Sequence, residues 1–176
     1  MRIPDWTPEA APRDPALLQA IKARRGGRYL NLDLALLWSE PLARGWNVFL
    51  GAIRREVSVS PRLKELAICT VARETGADYE FIHHWPEYVR AGGDDALRTR
   101  ILDTDSAATD TAFSPDERLA IRYATVMTRN VAVPDSLFQE LKARFTETEL
   151  VELTAAIAAY NMVARFLVAL RVEDEK

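Results

Sequence analysis

The strongest constraint on the fold lies near the end of the chain. Thr146-Glu147-Thr148-Glu149 reads as a capping box, Thr at the cap and Glu three residues on, and it launches the apolar run LVELTAAIAAYNMVARFLVAL. The spacing predicts a helix to about Val172, alanine-rich and apolar on most sides. A helix of that kind has to be buried. Its length raises the question of a membrane, but Glu149, Glu152, Asn161 and Arg165 interrupt the span of about 20 apolar residues that a bilayer requires. No membrane is expected. In a chain of 176 residues, full burial of this helix takes a second subunit, so a homo-oligomer is expected, whether dimer, trimer or hexamer.

Upstream, the same period recurs. Asp14-Pro15 opens a helix with Leu17, Leu18 and Ile21 on one stripe, closed by Gly26-Gly27. A short apolar segment from Leu30 to Trp38 precedes a helix from Leu42 to Glu56. Ser60-Pro61 caps a helix that Gly76 stops near Thr75, and Asp78 is positioned to cap the next, which ends at Gly92-Gly93. A short helix follows near Asp95 to Leu102. Ser114-Pro115-Asp116-Glu117 is a further capping box, for a helix to about Arg129, and Asp135 to Arg144 makes another. No stretch alternates as a strand would. The expected fold is all-α, with residues 15–176 as a single domain. Pro4, Pro8, Pro12 and Pro15 deny residues 1–14 regular hydrogen bonding, and they read as an extended N-terminal arm.

Charge and cysteine usage narrow the function classes. A formal net charge of -3, with basic and acidic residues interspersed, gives no electrostatic case for nucleic acid. The single cysteine excludes an intramolecular disulfide and fits a reducing compartment. The opening MRIPDWTPEAAPRDP has no apolar signal-peptide core, so a cytoplasmic protein is expected.

The chemistry concentrates between Arg62 and Gly93, in RLKELAICTVARETGADYEFIHHWPEYVRAGG, which holds both histidines, His83 and His84, and the lone Cys69. On a helix from Asp78, residues 80, 83, 84 and 87 share one face. A carboxylate one turn before an imidazole orients the ring and raises its basicity, as Glu80 would for His84. Glu65, on the preceding helix, can reach the same spot if the two helices pack antiparallel. The bland alternative is a surface ion pair. Glu80-x-x-His83 has the spacing of carboxylate-bridged di-iron sites, but no second such motif exists. The metal reading left open is one zinc-like ion on Glu65, Glu80 and His84, and no cofactor is expected. Cys69 on a helix face reads as a small buried hydrophobe. His83 reads chiefly as a helix-face residue.

The stretch LKELAICTVARETGADYEFIHHWPEYVRAGG resembles the core motif of the carboxymuconolactone decarboxylase family, in the alkyl hydroperoxidase D superfamily. RGGRYLNLDLALLWSEPLARGWNVFLGAIRRE and ELVELTAAIAAYNMVARFLVALRVE extend the likeness over most of the chain, from about Arg25 to Val172. The resemblance implies an all-helical bundle in an intertwined homo-oligomer. In the hydroperoxidase branch the working residues are a glutamate, a Cys-x-x-Cys pair and a histidine. Glu65 and His84 match the first and last, but the cysteine positions hold Ala77 and Glu80, and Tyr79 replaces a histidine. The peroxidatic thiols are therefore missing. The resemblance implies a cofactor-independent lyase, with Glu65, Glu80 and His84 catalytic, His83 and Tyr79 accessory candidates, and a small carboxylated, lactone-type substrate. A hydroperoxide reductase of the peroxiredoxin type, or a ligand-binding oligomer without turnover, are the alternatives.

Overall fold

Both capping boxes form as spelled. Ser114 N–H donates to Glu117 Oε2 at 2.8 Å while Glu117 N–H returns to Ser114 Oγ at 3.3 Å. Thr146 and Glu149 repeat the exchange at 2.9 and 3.3 Å. In the computed structural model, which describes residues Met1–Glu175, every regular element is helical. In order these are α1 (Pro15–Arg24), α2 (Asn31–Leu36), α3 (Glu40–Arg55), α4 (Pro61–Thr75), α5 (Asp78–Arg90), α6 (Thr104–Ala107), α7 (Pro115–Asn130), α8 (Asp135–Lys142) and α9 (Glu147–Leu170). The segment expected as one short helix near Asp95 is instead two 3₁₀ turns, Asp95–Leu97 and Arg100–Leu102.

Contacts divide the described chain into two units: Met1–Glu56 with residues 167–175, and Val57–Phe166. In the first, Asp14 caps α1 by accepting from Ala16 N–H at 2.9 Å, and Gly26 and Gly27 end it with φ of 69° and 93°. The arm ahead of α1 lies along its own unit. Arg2 N–H donates to the Leu170 carbonyl at 2.7 Å, Trp38 Nε1 to the Pro4 carbonyl at 2.8 Å, and Arg13 Nε to the Leu37 carbonyl at 2.6 Å. Trp6, buried, stands edge-on to Tyr29.

In the second unit, α4 is the central helix, packing chiefly against α5 and α7. Ten consecutive residues from Leu63 to Ala72 are buried, so α4 has no solvent face over nearly three turns. Two expected caps differ. Ser60 holds the cap position of α4 but its side chain makes no capping bond. The entry to α4 is fastened instead by Glu152 of α9, whose Oε2 accepts from Ser58 N–H, Ser58 Oγ and Val59 N–H at 2.7 to 2.8 Å. Asp78 is the first residue of α5 rather than its cap, and its Oδ1 stands 3.3 Å from Arg73. Gly76, at φ 67°, makes the left-handed turn between the two helices.

By length and composition α9 could cross a membrane, with mean hydropathy 1.7, and 44% of its apolar window is buried inside the protein. Leu153, Ala156, Ile157, Tyr160, Val163 and Ala164 face inward. Its polar side chains are fastened too: Thr154 Oγ1 lies 2.7 Å from Tyr123 Oη, and Asn161 donates to Thr128 Oγ1 at 2.9 Å. Val151, Ala158 and Met162 remain exposed on one face.

Tyr88 marks the tightest packing. It is fully buried, its hydroxyl donates to Glu117 Oε1 at 2.8 Å, and its ring lies where a Cβ on Gly93 would stand, 2.3 Å away. Gly93→Ala is expected to destabilise the protein by about 1–3 kcal/mol, the usual cost of overpacking, with Ala at the exposed Gly45, which meets nothing, as the control in urea denaturation.

Candidate active site

The α4–α5 turn sets the site. Two helices joined through Gly76 and Ala77 run back along each other, bringing Glu65, in the second turn of α4, opposite the middle of α5. His84 Nδ1 donates to Glu65 Oε2 at 2.6 Å, and His84 Nε2 stands 3.1 Å from Glu80 Oε2, one helical turn back. All three side chains are under 10% exposed. This is not the surface ion pair that spacing alone allowed. Lys64, itself buried, places Nζ 3.7 Å from Glu65 Oε1. Tyr160 of α9 meets the imidazole edge-on, ring centroids 4.7 Å apart at 83°.

Two cationic side chains and two carboxylates thus share one enclosed volume. Burial alone would strip His84 of its proton, but its hydrogen bonding to the Glu65 and Glu80 carboxylates, and their charges, outweigh it and raise the imidazole to about 9. At neutral pH His84 is an imidazolium, with Nδ1 donating to Glu65 and Nε2 in ion-pair contact with Glu80. The shorter contact belongs to Glu65, so Glu65 fixes the ring and the Nε2 edge is the more loosely held. The carboxylates take opposite nitrogens of one ring, Glu65 on Nδ1 and Glu80 on Nε2, so Glu65, Glu80 and His84 form an ion-pair relay.

The other sequence candidates fall outside the relay. The rings of His83 and Tyr79 lie 4.4 Å apart, tilted at 42° to one another, next along α5. Glu87, expected on the same face, pairs with Arg90 instead. Trp85 is turned to Phe81 and Tyr88 and donates Nε1 to Asp95 at 2.7 Å. Of the cations a carboxylate substrate could use, Arg62 lies 3.5 Å from Glu117, Arg73 pairs with Asp78, and Arg165 bonds Asn161. Cys69 is buried one turn beyond Glu65. Burial and then the Glu65 and Glu80 charges push its thiol well above the ordinary value. Sequence reasoning missed Lys64, hidden by its usual place at the surface, and Tyr160, whose approach depends on how α9 packs.

No protein-family model matches the sequence, and no curated protein matches it. Solved structures do match. An uncharacterized peroxidase-related protein from Ralstonia eutropha JMP134, described as an alkylhydroperoxidase AhpD core, superposes with a TM-score of 0.84 at 14% identity, over 99% of this chain and 92% of that one. The chain has the AhpD-like fold. A peroxidase-related protein from Silicibacter sp. TM1040 gives 0.78 at 15% identity over 93% and 88%. The debrominase Bmp8, as a cysteine-to-alanine variant in complex with 2,3,4-tribromopyrrole, gives 0.79 at 18% identity over 97% and 90%. The all-helical AhpD-like architecture expected from the sequence is therefore present, while at these identities the likeness is one of fold.

The relay makes stability pH-dependent. His84 is raised from 6.5 to about 9 on folding, so its contribution is complete below pH 6.5 and is lost as pH climbs through 9. Up to about 3 kcal/mol is at stake. Chemical denaturation between pH 6 and 10 should show that decline, and His84→Gln should remove it.

Proposed function

We propose that the chain is a cofactor-independent carbon–carbon lyase acting on a small carboxylated, lactone-type ring compound, with His84 as the proton donor. The observation that carries this reading is the buried imidazole held between two carboxylates at 2.6 and 3.1 Å. As carbon dioxide leaves, the electron pair of the broken bond stays on carbon and takes a proton from His84 Nε2. The neutral imidazole then recovers a proton from water. Glu65 keeps the ring oriented through Nδ1 and stabilises the charged form, while Glu80, on the longer contact, yields the Nε2 edge to substrate. Tyr160 packs the ring against rotation. Lys64 offsets the second carboxylate. The Bmp8 neighbour is in complex with a small ring compound, 2,3,4-tribromopyrrole.

Peroxidase chemistry has less support. It would fall to Cys69, which is enclosed on α4 and whose thiolate is disfavoured by burial and by two neighbouring carboxylates. A positioned proton donor contributes on the order of 100- to 10,000-fold in rate. Turnover of carboxylated lactones, followed as carbon dioxide release, should fall by that order in His84→Gln and Glu65→Gln, and should survive Cys69→Ala. Full activity in both relay variants would overturn the assignment, and loss with Cys69→Ala alone would move it to thiol chemistry.

The working form is proposed to be a homo-oligomer, with Val151, Ala158 and Met162 of α9 covered by a second copy. Light scattering should give a mass of at least two chains, and Met162→Glu should lower it.

A further inference from the structure

The N-terminal arm does more than lie along its own unit. Between the arm, α1 and α2 it leaves a cavity of about 610 Å³, lined among others by Trp6, Leu18, Ala23, Tyr29 and Leu34. That volume falls inside the range of about 300–1,000 Å³ usual for small-molecule sites. The wall is apolar by construction. Trp6 spends its indole N–H on the Ala11 carbonyl at 2.7 Å, so its ring offers the cavity only carbon surface. Tyr29 meets Trp6 edge-on, ring centroids 6.1 Å apart at 88°.

Two polar tips share this lining. Lys22, in the last turn of α1, holds Nζ 4.9 Å from the centre of the Tyr29 ring. That contact uses the charge of the ammonium but leaves its donors open. Among the described residues, neither Lys22 Nζ nor Tyr29 Oη makes a hydrogen bond or an ion pair. Asp33, whose charge reaches Tyr29, is taken up by Arg24 and Arg25 at 3.1 Å each. Burial, then that charge, holds the Tyr29 phenol above its ordinary range, so it stays protonated and able to donate.

We propose that this cavity binds a small organic carboxylate with an apolar body, aryl or alkyl, its head on Lys22 and Tyr29. The body takes the apolar wall out of water, and the head accepts charge-assisted hydrogen bonds that no described protein group claims. The site lies wholly in the first unit and does not rest on the reading of the His84 relay.

Calorimetric titration of 1-naphthoate and decanoate into the full chain tests this, with 1-naphthamide as the uncharged counterpart. The expected result is saturable binding of one acid per chain, naphthoate about tenfold tighter than naphthamide. Lys22→Met keeps the apolar stem and removes the charge. It should weaken naphthoate about tenfold and leave naphthamide unchanged, which separates recognition of the head from a loss of fold. Ala23→Phe, which fills the cavity, should abolish binding of all three probes. Lys142→Met, at an exposed position on α8, should change nothing. Tighter binding of decanoate assigns the site to alkyl acids and tighter binding of naphthoate to aryl acids, and either supports it. No saturable binding of either acid, equal affinity for acid and amide, or naphthoate binding undiminished in Lys22→Met overturns the proposal. So does binding lost in His84→Gln but kept in Ala23→Phe, which would seat the acid at the relay. Should Ala23→Phe fail to fold, Lys22→Met and the amide comparison decide it.

Discussion

Everything assigned to the second unit depends on one ion pair, His84 with Glu65. It joins the two helices of a hairpin at its midpoint, inside a core where the other buried side chains of α4, apart from Lys64, are apolar or small. Removing either partner would leave the other with only its weaker contact, His84 with Glu80 or Glu65 with Lys64, and breaking a buried pair typically costs about 3–5 kcal/mol. That dependence is also what makes the imidazole useful. A histidine kept protonated up to about 9, well above its ordinary range, in an enclosed place, stores a proton for delivery. Stability and chemistry draw on the same contact.

The relay also explains the shape of its surroundings. Lys64 and Glu65 are adjacent on α4 and both buried, which a helix tolerates only when charges of both signs meet inside. Tyr160 brings α9 against the ring, and Glu152, two turns earlier on that helix, pins the segment leading into α4. The long apolar helix therefore both covers the pair and holds the stretch of backbone from which one carboxylate starts.

Much of this was legible in the residues. Capping boxes at Ser114 and Thr146, the Pro61 start and the Gly76 stop mark helix ends because each satisfies orphaned backbone groups by local chemistry. Such signals do not need the tertiary fold. Glu65, Glu80 and His84 were findable because helix spacing and an antiparallel hairpin suffice to bring them together. What sequence could not reach was non-local. Ser60 makes no capping bond, and Glu152, far along the chain, fastens Ser58 and Val59 just ahead of it. Lys64 and Tyr160 join the site through packing of elements far apart in the chain. Asp95 to Leu102 reads as one helix in the sequence, yet its polar residues bond locally, Asp94 accepting from Ala96, and tighten the backbone into 3₁₀ turns.

The polar residues of α9 carry one more implication. Glu152, Thr154 and Asn161 are polar side chains in a helix otherwise apolar enough to cross a bilayer, and each is tied to a neighbouring segment, Ser58 and Val59, Tyr123, and Thr128 respectively. Mutational drift toward a greasier α9 would thus loosen the bundle with the same steps that made the helix more lipid-compatible.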